Sequence, residues 1–173
     1  MRLERFFENL QKDLKVFLFL LLIICFYRVY FMAYMSESIA PTTSMGDVLL
    51  ALWLGFRLSL KSAGAMALFG FVFCSLPELV LPRLQLARLR LWLGTVGSAI
   101  LAVLFQARFP YYEVFHATFG RDVVQGLHED MQTIFSMLVE SYALPMRLLA
   151  AVVLTAASNF LLRRLLRTET IPL

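Results

Sequence analysis

The stretch that most limits what this chain can become is VFLFLLLIICFYRVYFMAYM, residues 16–35, apolar but for Arg28. A helix rises about 1.5 Å per residue and needs about 20 apolar residues to cross the hydrocarbon of a bilayer. This run meets that length, and similar runs recur along the chain. Of the 173 residues, 60% are hydrophobic and only 16% are charged. Soluble domains carry about a quarter charged residues, and a chain this short cannot hide such an apolar excess in one core. The fold class expected is therefore all-α: a polytopic membrane helix bundle with about four transmembrane helices plus amphipathic surface helices.

The first run exceeds the roughly 7–15 apolar residues of a secretory signal. A cut after SIA would leave Pro41 next to it, so an uncleaved anchor is expected. Ahead of it, MRLERFFENLQKDLK is basic, with Phe6, Phe7, Leu10 and Leu14 at helical spacing. That pattern predicts a surface helix over residues 2–14 that runs into the first span. Tyr27, Tyr30 and Tyr34 then form an interfacial aromatic belt.

Residues 47–81 are apolar except at Arg57, Lys61 and Glu78. Two short spans or one span with a surface helix would fit. The arginines Arg83, Arg88 and Arg90 favour one crossing, because positive loops stay in the cytoplasm. This assigns a surface helix to residues 47–58 and the span to 62–81, with Gly55 as a bend; a continuous kinked helix is the alternative. Further spans are read at 91–107 and 145–162, the last opening at Pro145 and closing on Arg163, Arg164 and Arg167. Pro110 is expected to break or tilt the helix it follows. Between these spans, Val124, Leu127, Met131, Ile134 and Leu138 step at three and four, predicting a surface helix over 121–140. Small residues line one face of each later span: Ala63 and Ala67; Gly94, Ser98 and Ala102; Ala151 and Thr155. The arrangement expected is one transmembrane domain over residues 1–173, in a bacterial cytoplasmic membrane, with both ends cytoplasmic.

Chemistry-bearing patterns are sparse. His116, His128, Glu129 and Asp130 have no metal-ligand spacing and read as a solvated helix face. Cys25 and Cys74 stand alone in apolar runs and read as buried thiols. No phosphate-cradling glycine loop and no basic aromatic stripe for nucleic acid is present. No catalytic residue is assigned. What stands out is arginine among apolar residues: Arg28, Arg57 and Arg108, the last within ARFPYYEVFH. Guanidinium forks match phosphate oxygens, and charge inside a bilayer is costly. These residues are expected to contact the headgroups of membrane phospholipids, with Tyr111 and Tyr112 supplying ring surface and hydroxyls. Glu113 would orient an arginine or meet an amine headgroup. Snorkelling arginines in an anchoring belt are the competing reading.

LGFRLSL, residues 54–60, resembles a stretch in the membrane domains of lipoteichoic acid synthase-like proteins of the alkaline phosphatase/sulfatase superfamily. RFPYYEVFHATFGRDVV and HEDMQTIFSMLVESYALP resemble the family's aromatic segment and long surface helix. Ser59 stands where the family usually has Asp. The resemblance implies a membrane-anchoring, lipid-donor-binding domain of a phosphoglycerol or phosphoethanolamine transferase acting at the outer membrane face. The family's catalytic domain, with its metal-ligated threonine and divalent metal (Mn or Mg), would be this domain's partner. No cofactor is assigned to residues 1–173. A different class, a complete small inner-membrane scaffold protein without enzymatic role, is the alternative.

Overall fold

A computed structural model describes residues 2–36, 43–81, 86–115 and 143–168. Every regular element among them is helical: α1 (Arg2–Tyr34), α2 (Met45–Gly70), a π-helical turn (Phe71–Ser75), α3 (Leu76–Val80), α4 (Ala87–Phe115) and α5 (Leu144–Arg167). Four stretches are long and apolar enough to cross a membrane: Phe6–Tyr34, Met45–Val80, Ala87–Glu113 and Leu144–Arg167. They cover the four expected spans to within one residue.

The boundaries differ from those read in the sequence. Residues 2–14 and 16–34 form one helix with no break. Residues 47–58 are not a separate surface helix but the first half of α2, which passes straight through Gly55. With no proline between Met45 and Gly70, nothing in the α2 backbone interrupts its hydrogen-bond ladder. Its start is fixed by a capping box: Asp47 N–H donates to Ser44 Oγ at 3.2 Å, and Ser44 N–H donates to Asp47 Oδ2 at 3.0 Å. The irregularity comes later. Pro77 has no N–H, and just before it Leu76 N–H reaches Phe71 O, five residues back. This extra residue per turn brings Cys74 and Ser75 to the buried side. Pro110 does not end α4, which continues to Phe115. The expected helix over 121–140 lies outside the described residues.

The chain forms two compact units, Met1–Ser98 with Ser158–Leu173, and Ala99–Ala157. In the first, α1 is the central element. It packs on α2, the π turn and α3. Asp13, Val16, Leu20, Tyr27 and Phe31 form its buried stripe. Glycines admit the closest approaches. A Cβ on Gly94 would stand 2.6 Å from Leu162 Cδ2, and one on Gly97 would stand 3.6 Å from Met66 Sδ and 3.8 Å from Leu20 Cδ2. Lys15 Nζ donates to the Thr168 carbonyl at 2.9 Å and its hydroxyl at 2.8 Å. The start of α1 and the end of α5 thus lie at the same end of this unit.

The polarity of the fold is reversed relative to a water-soluble domain. Leu22, Phe26, Trp92 and Phe160 are each more than 60% exposed. Ser59, Ser75, Ser98 and Arg90 are at most 2% exposed. Such a surface is stable against hydrocarbon, where apolar side chains face out and polar groups must satisfy each other. The buried hydroxyls do so along their own helices. Ser59 Oγ donates to Gly55 O at 2.9 Å, and Ser98 Oγ to Gly94 O at 2.7 Å.

Candidate functional site

The sequence-predicted headgroup residues fall into both compact units. Arg28 is half-buried on α1, its guanidinium laid against Gly55 of α2. A Cβ at Gly55 would come within 2.5 Å of Arg28 Nη1 and 2.8 Å of its Cζ. Arg28 Nε is buried and has no hydrogen-bond partner among the described residues. Arg57, two positions beyond Gly55, is turned about 200° round the helix. It is exposed, as is Lys61 one turn on. Arg28 and Arg57 therefore do not converge.

In the second unit, Arg108, Tyr111 and Tyr112 are half-buried on α4. Glu113 does not orient any of the three expected arginines. Its Oε1 lies 4.0 Å from Nη2 of Arg147 on α5. The Arg147 guanidinium also sits 5.5 Å over the ring of Phe109, which packs edge-on against Phe105 at 5.1 Å. Phe105, Phe109 and Glu113 recur every fourth residue and share one face of α4. Arg108 and Tyr112 lie one position earlier, on the neighbouring face. Arg147, in the first turn of α5, is not among the residues the sequence singles out.

The most developed polar cluster was also missed. Arg90 Nε donates to Asp13 Oδ1 at 2.6 Å, and Arg90 Nη2 donates to Ser75 Oγ at 3.1 Å. Ser75 Oγ in turn donates to Asp13 Oδ2. Glu78 Oε2 stands 3.7 Å from Arg90 Nη2, while its Oε1 accepts the Leu86 N–H at 2.6 Å. Three separate elements meet here: the start of α1, the π turn with α3, and the start of α4. A charge pair this dry holds only when each lone pair and proton has a partner, and this one comes close to that. A signal was present. Asp13 continues the stripe of Val16, Leu20, Tyr27 and Phe31, whereas Leu10 and Leu14, about 60° and 100° round the helix from it, are 40% and 54% exposed. An acid on the stripe that packs, flanked by apolar residues that do not, marks an inward charge in a membrane helix.

A second polar link joins α4 to α5. Asn159 Nδ2 donates to Thr95 Oγ1 at 3.0 Å, and Thr95 Oγ1 donates to Leu91 O at 2.8 Å. Among the described residues, no three His, Cys, Asp or Glu side chains stand close enough together to hold a metal ion. His116, His128, Glu129 and Asp130 lie outside the described residues. Ser75, Asp13 and Arg90 brace three elements against one another.

The fold defines an all-helical chain with four candidate membrane-spanning helices. No known protein family, curated protein or solved structure matches it.

Proposed function

We propose that this chain is a multi-pass membrane-anchoring module of a bacterial cytoplasmic membrane, crossing it four times with Arg2 and Arg167 at the cytoplasmic face. The observation that carries this reading is the reversed polarity of the helices: apolar side chains outward, Asp13, Ser75 and Arg90 inward. The sidedness rests on Lys and Arg gathering at the end where α1 starts and α5 stops. Lys15, Arg88, Arg163, Arg164 and Arg167 belong to that end. Alkaline carbonate extraction tests the anchoring: the chain stays in the pellet if its helices span, and a soluble chain refutes the reading.

The finer proposal is that the module anchors, and presents a phospholipid donor to, a sulfatase-family phosphoglycerol or phosphoethanolamine transferase. LGFRLSL and the aromatic segment of α4 support it. Gly55 within that first motif gives it a physical use, since only a residue without a side chain leaves room for Arg28. An antibody against this segment, applied to membranes of the source cells, separates this from a self-contained scaffold. A band far above 19.8 kDa supports the transferase reading. A band at that mass supports the scaffold.

A further inference from the structure

We infer that Arg28 and Gly55 form a binding site for the phosphate of an outer-leaflet phospholipid, and that Arg57 is not part of it. The inference rests on α1 and α2 crossing a membrane, and it narrows the headgroup set to one arginine with a structural reason for its position.

Arg28 sits within the apolar run of α1, between exposed Phe26 and Val29. Its Nε is buried yet makes no hydrogen bond. An ionised donor without an acceptor inside a bilayer is costly, and such arginines find a carboxylate, a carbonyl or a lipid phosphate. Among the described residues, the carboxylates of this unit are committed elsewhere or distant. Asp47 is engaged in the capping box with Ser44. Asp13 and Glu78 belong to the Arg90 cluster at the far end of α1. Exposed Glu8 is twenty residues away on the same helix, about 30 Å along its axis. On α2, Gly55 O already receives Ser59 Oγ at 2.9 Å.

The position suits a headgroup. Arg28 precedes Tyr34 by six residues, about 9 Å along the axis. A half-buried arginine can extend that far toward the interface. Tyr30 and Tyr34, stacked with centroids 6.5 Å apart, continue from it to the helix end. Gly55 supplies the seat. A side chain there would collide with Nη1, Cδ and Cζ of Arg28. These are the free end of a long side chain, so Gly55→Ala should displace the guanidinium without breaking the helix contact. That makes Gly55→Ala a probe of guanidinium position that leaves the charge in place.

The test uses the full chain purified in detergent and native mass spectrometry. The probes are dioleoyl phosphatidylglycerol, dioleoyl glycerol and free glycerol phosphate. Carbonate extraction beforehand reports separately whether the helices span. The wild type and Arg57→Gln should retain phosphatidylglycerol alike, while Arg28→Gln and Gly55→Ala should retain it roughly tenfold less or weaker still. Dioleoyl glycerol, lacking phosphate, should be retained no better by the wild type than by Arg28→Gln. Free glycerol phosphate should not displace the lipid, because acyl chains hold the headgroup at the site. If it binds alone and displaces the lipid, the ligand is a soluble phosphate and the lipid assignment is wrong. Equal retention of phosphatidylglycerol by wild type and Gly55→Ala, with helicity unchanged, overturns the site even if Arg28→Gln fails to fold.

Discussion

Arg90 binds Asp13 across 77 positions of sequence, Nε to Oδ1 at 2.6 Å, with the two side chains 3% and 7% exposed. The pair ties the first helix to the third, and Ser75 on the π turn ties in the second. It also changes what the basic segment around Arg90 means. Arg88 is exposed and free to act as an orienting charge, but Arg90 is directed into the protein. The sidedness of the chain therefore rests on fewer cations than a count along the sequence suggests.

Asp13→Leu should cost about 3–5 kcal/mol, because it leaves the dry Arg90 charge only the looser contact with Glu78, 3.7 Å away. Adding Arg90→Met should recover part of that loss, since the apolar pair needs no solvation but Glu78 is then without its cation. Glu78 keeps its bond from Leu86 N–H in either variant. Thermal unfolding in detergent, followed by tryptophan fluorescence, gives both values. A double variant no more stable than Asp13→Leu would mean that the pair does more than neutralise charge.

Ser75 both donates to Asp13 and accepts from Arg90, so Ser75→Ala removes two partners at once. A loss of about 1–3 kcal/mol is expected, the usual cost of leaving buried polar atoms unmatched. Ser75→Thr keeps the hydroxyl and should lose less. The same melting experiment checks the ordering, which reverses if the hydroxyl plays no part.

The topology makes a labelling prediction. In a background with Cys25 and Cys74 replaced by alanine, a cysteine at Thr43 should react with an impermeant reagent in intact cells. Cysteines at Arg88 and Thr168 should not. Thr43 stands before the start of α2, at the opposite end of that helix from the π turn, and Thr168 is fixed to Lys15 near the start of α1. Labelling at Thr168 together with protection at Thr43 would invert the proposed sidedness while leaving the four spans intact.

The four spans were legible because lipid imposes length and apolarity on every crossing, and both are written along the chain. The cut placed after residue 58 was not, because Arg83, Arg88 and Arg90 fix the number of crossings but not where a helix begins, and Gly55 was taken for a bend. A helix carries exposed cations without interruption, and Gly55 leaves room for Arg28 rather than bending α2. The Arg90 cluster was hidden for a different reason. Asp13 and Arg90 each lie in a basic, polar-looking segment, and only the fold shows that they face one another. Among the predicted site residues, periodicity alone could have separated Arg57 from Gly55 and Arg108 from Glu113. What it could not supply was Arg147, which reaches Glu113 from another helix.

A close contact between α4 and α5 in the first unit makes a sharp test of its packing. Leu162 on α5 is fully buried and its Cδ2 occupies the space a Cβ on Gly94 would need, 2.6 Å away, with Val16 Cγ1 at 3.7 Å on the α1 side. Gly94→Ala gains helix propensity, about 1 kcal/mol, but forces Leu162 off its rotamer or α5 off α4. Overpacking of this kind costs about 1–3 kcal/mol, so a net loss is expected. Leu162→Ala alone leaves a void and should cost about 2–5 kcal/mol. Combined, the new methyl partly fills the space that the shortened side chain vacates. The double variant should therefore be more stable than the sum of the single losses by about 1 kcal/mol or more, within the range for residues in contact. Strict additivity in the same unfolding assay would mean that Gly94 and Leu162 do not touch.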